Sequence, residues 1–217
     1  MEDLQRAWTA LQFVGIMAYP LLFLGVLVVV ILLDKAFVYW RYARPSGALF
    51  TLAATDGFDW SELEQQLARL GSRNYFGRFS RILIDNRDKP VWWLESRAGD
   101  EARAIEKALS RGLWILETIV TGAPLLGLLG TIAGMMNAFR IISGSGLVEP
   151  SGITAGVAQA LIATALGIFI AVVALFEFNF FSRLQSKTLD EMEHLGTRMV
   201  EHIRLDQQAK EVCGEIA

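Results

Sequence analysis

Residues that form disulfides, bind metals or react covalently are scarce in this chain of 217 residues. Cys213 is the single cysteine, so it cannot pair within the chain and is expected to remain a free thiol. The two histidines, His194 and His202, do not have the His-x-x-x-His spacing of a helical metal site. No pairing of a nucleophile with a base stands out between the helical patterns. The sequence therefore predicts no enzyme active site, no metal site and no cofactor.

Charge is scarce as well, at 20% of residues against 53% hydrophobic residues. The formal net charge of -3 is too small to indicate a nucleic-acid partner. Three long stretches, at about 13–33, 113–139 and 153–181, have no charged residue near their centres. A helix rises about 1.5 Å per residue, so each stretch can cross a hydrocarbon core of roughly 30 Å. We therefore predict an all-α membrane protein with three transmembrane helices in a lipid membrane.

The basic residues predict how these spans are oriented. Of the 20 Lys and Arg residues, 13 lie between Lys35 and Arg111, and 5 more occur from Arg183 onward. Because basic residues accumulate on the cytoplasmic side of membrane proteins, these two regions are expected in the cytoplasm and the N-terminus outside. Glu2 and Asp3 are acidic where a secretory signal would be basic, so the first span is expected to remain uncleaved.

The cytoplasmic stretch shows signals for helix starts and stops. Asp59 precedes leucines at helical spacing, and Gly71 follows them as a stop. A second helix is predicted over 75–86, and a third from about Trp92 directly into the second span. Trp92 and Trp93 fit either a membrane-interface belt or a buried core. After the third span, apolar residues recur at helical spacing, which predicts an amphipathic continuation whose apolar stripe packs on another subunit or on the loop domain.

The second span holds many small residues for a transmembrane helix. No charge occurs between Glu117 and Arg140, whereas four glycines and a proline do occur there. At about 100° per residue, one sector carries Thr121, Pro124 and Thr131. A neighbouring stripe consists of Gly127, Gly130 and Gly134. A glycine stripe lets another helix approach closely and the threonine face is available to an interior, although each feature alone also fits simple packing.

The third span repeats this pattern. Its small-residue stripe consists of Ala160, Thr164, Gly167 and Ala171. A different face carries Gln159, Ala163, Ile170 and Glu177. The Gln159 amide is expected to form an interhelical hydrogen bond. No ionisable residue lies at the centre of any span, and proton relays need such groups at membrane depth. If the protein helps to conduct protons, another polypeptide must therefore bring the titrating side chain.

Two motifs resemble those of a known family. The second-span motif of the ExbB/TolQ/MotA proton-channel family resembles APLLGLLGT at 123–131 and GMMNAF at 134–139. Its third-span motif resembles GVAQALIATALG at 156–167. ExbB is the most similar of these proteins, and the resemblance is specific over about 113–182. It extends to the order of spans and the size of the cytoplasmic loop.

The resemblance implies an inner-membrane subunit that assembles into a homo-oligomeric ring, a pentamer. The ring would surround an ExbD-like single-span partner whose transmembrane Asp takes the proton, and a TonB-like protein would pass the energy to the outer membrane. Thr131 and Thr164 match the pore-lining threonines of the family, and Pro124 matches its second-span proline. ExbB and TolQ proteins commonly have Glu where this chain has Gln159, and an amide cannot exchange a proton.

These considerations define a predicted site with two parts. The candidate residues of the pore lining and proton pathway are Thr121, Thr131, Gln159 and Thr164. The candidate helix-packing residues are Pro124, Gly127, Gly130, Gly134 and Gly167.

The sequence is also divided into expected segments. They are a periplasmic N-terminal segment (1–12), transmembrane helices (13–33, 113–139 and 153–181), a cytoplasmic helical loop domain (34–112), a short periplasmic loop (140–152) and a cytoplasmic helical tail (182–217). The implied function is an ExbB-like subunit of a complex that uses the proton motive force to drive TonB-type transport. The alternatives are a TolQ-like or stator-like motor subunit and a non-conducting membrane scaffold.

Overall fold

The protein is helical in the residues that its computed structural model describes, which are 15–43, 59–71, 73–145 and 150–215. A 3-10 turn at Gly15–Met17 precedes six α-helices in this described part of the chain. They are α1 (Ala18–Tyr42), α2 (Trp60–Leu70), α3 (Tyr75–Asp85), α4 (Val91–Ser110), α5 (Leu113–Ser145) and α6 (Pro150–Glu215). The prediction of an all-α chain is confirmed for these residues.

Three helical stretches are long and apolar enough to cross a membrane. They are Ala18–Tyr42, Val91–Phe139 and Thr154–Lys210. The prediction of three apolar helices is therefore confirmed, and they identify the chain as a membrane protein. Length and composition do not mark where a bilayer begins, so the span limits given above stay predictions. The segment 1–12 and residues 146–149 of the expected loop lie outside the described residues.

The chain divides into two compact units. The first, called the apolar unit below, contains Met1–Leu33 and Gly112–Phe181. The second, called the polar unit, contains Asp34–Arg111 and Ser182–Ala217. The candidate site residues all belong to the apolar unit.

Local capping sets the short helices of the polar unit. The Asp59 carboxylate accepts hydrogen bonds from the backbone N–H of Ser61 at 2.9 Å and from its hydroxyl at 2.8 Å, which caps α2. Gly71, with φ of 78°, ends the same helix. The buried Asn74 side chain caps α3 by accepting from the N–H of Phe76 at 2.9 Å. The helices predicted to start after Asp59 and at 75 are thus confirmed.

The apolar stripe of the C-terminal region is covered within the polar unit. Its buried members are Met192, Leu195, Met199 and Ile203. At Gly196, an added Cβ would lie 2.8 Å from Cζ of Phe79, a buried residue of α3. The stripe on α6 is therefore packed against the loop domain, one of the two partners that its sequence pattern allowed.

The expectation that α4 runs directly into the second span is wrong. Helix α4 ends at Ser110, and α5 begins at Leu113. Between them Gly112 has φ of 85°, a left-handed conformation that glycine adopts without the steric cost of a Cβ. At the start of α4, Trp92 is 69% exposed, so a core position for this residue is also excluded.

Lys35 is buried in the polar unit, which the sequence did not indicate. Its Nζ donates a hydrogen bond to the backbone carbonyl of Leu109, close to the end of α4. The last carbonyls of a helix lack partners within the helix and carry partial negative charge, so a cation there is favourable. This bond anchors the end of α1 to the end of α4.

Candidate functional site

The apolar unit is held together by close backbone contact between α5 and α6. An added Cβ at Gly167 would lie 2.5 Å from the carbonyl oxygen of Ala123 and 3.0 Å from Cα of Gly127. At Gly127, it would lie 3.0 Å from Cα of Thr164. A real Cβ essentially never lies within 3.0 Å of another atom, and at 3.0 Å the neighbouring backbone would have to shift by a few tenths of an ångström. Both positions therefore require glycine for the helices to approach this closely.

The same contact continues along both helices. At Gly134, an added Cβ would lie 3.1 Å from Cβ of Ala160 and 3.1 Å from the carbonyl oxygen of Gly156. At Gly130, it would lie 2.6 Å from Cβ of Ala163 and 3.5 Å from Cβ of Met17. The antiparallel pair thus brings together the glycines expected to pack helices.

The Thr164 hydroxyl takes part in this helix contact. Its Oγ1 donates a hydrogen bond to the backbone carbonyl of Gly127 at 3.1 Å, which links α6 to α5. Thr164 is half-buried in the single chain. The neighbouring helix therefore orients this hydroxyl. The side chain joins the two helices and is still partly exposed on the surface of the pair.

Among the described residues, the hydroxyls of the other two candidate threonines bond only to their own helix. The Thr131 hydroxyl donates to the Leu128 carbonyl at 2.6 Å, and the Thr121 hydroxyl donates to the Thr118 carbonyl at 3.1 Å. Thr121 is exposed and Thr131 is half-buried. Each hydroxyl oxygen keeps acceptor capacity for water or for another chain.

Pro124 lies inside α5 without ending the helix. It is half-buried, whereas the next glycine of the stripe, Gly127, is buried. Proline lacks the N–H that would bond the carbonyl four residues earlier, which is that of Val120. The helix therefore lacks one backbone hydrogen bond, the one that would join residue 124 to the Val120 carbonyl. This gap lies beside the closest contact with α6, which is at Ala123.

Gln159 is half-buried on α6, beside the buried Ala160. Within the described residues no hydrogen bond joins its amide to another group. The interhelical hydrogen bond expected for it stays a prediction for the assembled protein.

Glu177 is buried, contrary to the face that the sequence pattern gave it. The pattern placed Glu177 and Ala163 away from the small-residue stripe, yet Ala163 is fully buried and Glu177 is 6% exposed. Neither carboxyl oxygen of Glu177 has a hydrogen-bond partner among the described residues. The helical spacing that joins Ala160, Ala163 and Gly167 also leads to Ala174 and Glu177, but it does not show how far along α6 the covering by other helices extends.

Ionisable groups are few in the apolar unit. In its described part they are Tyr19, Glu117, Arg140 and Glu177, of which Tyr19 and Glu117 are exposed. No group of three or more metal-binding side chains occurs among the described residues of the chain. The arrangement offers hydroxyls, an amide and one buried carboxyl.

Several known proteins are similar to this chain in sequence. A biopolymer transport protein ExbB from Aquifex aeolicus is 41% identical over 87 residues, 40% of this chain and 59% of that protein. An ExbB from Xanthomonas campestris is 35% identical over 105 residues, 45% of this chain and 42% of the relative. The chain therefore spans about half the length of these two relatives. A Tol-Pal system protein TolQ from Haemophilus influenzae is 30% identical over 179 residues, 70% of this chain and 77% of that protein.

The chain also matches a protein family over a long segment. Residues 64–194 match the family described as MotA/TolQ/ExbB proton channel family. This match covers more than half of the chain and includes all of α5 and the apolar part of α6. The chain belongs to the MotA/TolQ/ExbB proton channel family.

Proposed function

We propose that this chain is an ExbB-like inner-membrane subunit of a complex that uses the proton motive force to power TonB-type transport across the outer membrane. It assembles as a homo-oligomeric ring, a pentamer, around an ExbD-like single-span protein with a transmembrane Asp. The N-terminus lies in the periplasm and the C-terminus in the cytoplasm. A TonB-like protein receives the energy of proton flow.

One observation carries this proposal. In a chain that matches the proton-channel family over 64–194, α5 and α6 form a glycine-packed pair with threonines and no ionisable side chain at mid-span. Such a pair can form the wall of a pathway, but a proton must be carried by a titratable group or by water. A partner with a membrane-embedded acid supplies the missing group.

The candidate residues have separate roles in this proposal. Gly127, Gly130, Gly134 and Gly167 hold the two helices together, with Pro124 loosening the backbone of α5. Thr121, Thr131, Thr164 and Gln159 offer hydroxyls and an amide to water and to the partner's Asp along the pathway. Thr164 is the residue that joins both roles, because its hydroxyl bonds to the Gly127 carbonyl.

Purification and flux measurements test the proposal. The chain, expressed with the proteins encoded beside it, should co-purify with a small single-span protein that has an Asp in its span. Proteoliposomes with both proteins should show proton flux, and those with either protein alone should not. Replacing the partner's Asp by Asn is the matched control and should abolish flux without changing the size of the complex. Stable rings without a partner or flux would instead favour the membrane scaffold.

The similarity to TolQ supports a second candidate within the same family. A TolQ-like subunit would belong to a Tol-Pal system instead of a TonB-type transport complex. Complementation distinguishes the two. Rescue of an ExbB-deficient strain, measured as growth on a substrate that needs TonB-type transport, supports the first candidate. Rescue of a TolQ-deficient strain alone would replace it with the second.

A further inference from the structure

The buried carboxyl of Glu177 has no role in the function proposed above. Its side chain is 6% exposed, and neither oxygen has a hydrogen-bond partner in the described part of the chain. It continues a buried face of α6 on which the preceding residues are small and apolar: Ala160, Ala163, Gly167, Ala171 and Ala174. An ionised carboxylate without a partner is costly in such surroundings, whereas a carboxylic acid that carries a proton is tolerated.

Few charged groups are available to keep this carboxyl ionised. Within the described part of the apolar unit, the other acidic side chain, Glu117 of α5, is exposed. Tyr19 of α1 is also exposed. Arg140 of α5 follows Ala138, which packs against Gly156, and Gly156 is about 32 Å along α6 from Glu177 at ~1.5 Å per residue. Lys35, which belongs to the polar unit, donates to the Leu109 carbonyl. No cation in the described part of the apolar unit therefore lies near Glu177 as a counter-ion.

We propose that Glu177 is a proton-binding site of the third apolar helix, which takes up a proton from water and returns it to water. On binding, an O–H bond forms at one carboxylate oxygen, and on release the proton passes to a water molecule, so no other bond changes. Where the proposed function holds, Glu177 is a second station for protons that have passed the partner's Asp, on the side where the basic segments lie.

The position of Glu177 along α6 determines how a proton could reach it. Thr164 and Glu177 are about 20 Å apart along α6 at ~1.5 Å per residue. A carboxyl cannot transfer a proton directly over that distance, so water has to connect the two levels of the helix. Because α6 continues past Glu177 into the polar unit, the carboxyl lies near the end of the apolar part.

Infrared spectroscopy tests proton binding without any assay of transport. The full chain, labelled with carbon-13 glutamate and reconstituted in lipid, should show a protonated carboxyl band at neutral pH that shifts with the label. This band should persist in E117Q and be absent in E177Q, with the oligomer size unchanged in both variants. A wild-type protein without the band, or a band that remains in E177Q, would overturn the proposal. So would its appearance only after Lys35→Met, since that result would identify an ion pair.

Flux through the complex tests the place of Glu177 in the pathway. With the partner present, E177Q should lower proton flux at least tenfold, E177D should recover part of it, and E117Q should leave it unchanged. Loss of the infrared band with normal flux would refute the second station. If the wild-type complex shows no flux but the infrared band is present, proton binding at Glu177 stands and the proposed function fails.

Discussion

At the scale of single residues, the threonines differ in which backbone carbonyl accepts the hydrogen bond from their hydroxyls. Thr164 donates to a carbonyl on the neighbouring helix, whereas Thr131 donates to a carbonyl of its own turn. The family resemblance gives both the same pore-lining role, although Thr131 lies on the threonine face of the second span and Thr164 on the small-residue stripe of the third. The difference depends on the interhelical register, which becomes defined only when α5 and α6 are packed.

Replacing each threonine by valine separates packing from transport. Thr164→Val should weaken the helix pair by about 0.6 kcal/mol, the average for an interhelical hydrogen bond in a membrane. Thr131→Val should leave that stability unchanged, because its hydrogen bond is local. Both variants should still assemble and should lose proton flux, as expected for residues of the pathway. Denaturation in mixed detergent and flux in proteoliposomes provide the two readouts, and full flux in both variants would restrict these residues to packing.

The glycines of the helix pair lead to a sharper prediction. Gly167→Ala should destabilise the apolar unit by roughly 1–3 kcal/mol, because the methyl group would overlap the Ala123 backbone. Gly122→Ala is the matched control, since an added Cβ there meets nothing within 4 Å. The midpoint of detergent denaturation measures both. Equal midpoints for the two variants would mean that α5 and α6 do not approach as closely as described.

At the scale of elements, capping residues made the short helices predictable. Asp59 and Gly71 mark the limits of α2, and both signals are local in the chain. The break at Gly112 was missed because the apolar pattern on its two sides suggests one continuous helix. Its left-handed conformation is a property of the backbone that the surrounding pattern does not reveal.

The cap of α2 predicts a pH dependence. The backbone N–H and hydroxyl of Ser61 lower the pKa of the Asp59 carboxyl below its ordinary value. A lowered pKa in the folded state means that the carboxylate stabilises the fold at neutral pH, and that this contribution is lost as the pH falls through the lowered pKa. Between about pH 6 and pH 3, on either side of ordinary carboxyl pKa values, the wild-type melting temperature should therefore fall further than that of D59N. Parallel curves would mean that the cap does not titrate with folding.

At the scale of the whole molecule, the number of apolar helices and the family could be predicted from the sequence. Hydropathy indicates the helices, and two motifs indicate the family. The burial of Glu177 and Lys35 could not, because both lie near the ends of apolar stretches, where charged residues are usually exposed. A residue at such an end becomes buried only when helices that are distant in sequence pack over it. The sequence indicated the helix-packing stripe but not that it extends as far as Glu177.

The orientation in the membrane can be checked with the single cysteine of the chain. Cys213 follows the five Lys and Arg residues that occur from Arg183 onward, so a membrane-impermeant maleimide should label it in inverted inner-membrane vesicles and not in intact spheroplasts. In a C213S background, a cysteine at Glu149 should give the opposite result. Labelling of Cys213 in spheroplasts would reverse the proposed topology.

The contact between Gly130 and Ala163 has a consequence for the history of the sequence. A Cβ at Gly130 would lie 2.6 Å from the Cβ of Ala163, so the space between the helices accepts one methyl group and not two. The volume between the two helices is filled about equally well whichever helix carries that methyl group. The two positions are therefore expected to covary among related chains, with alanine at one accompanied by glycine at the other, and a change at either one restricts what the other can later become.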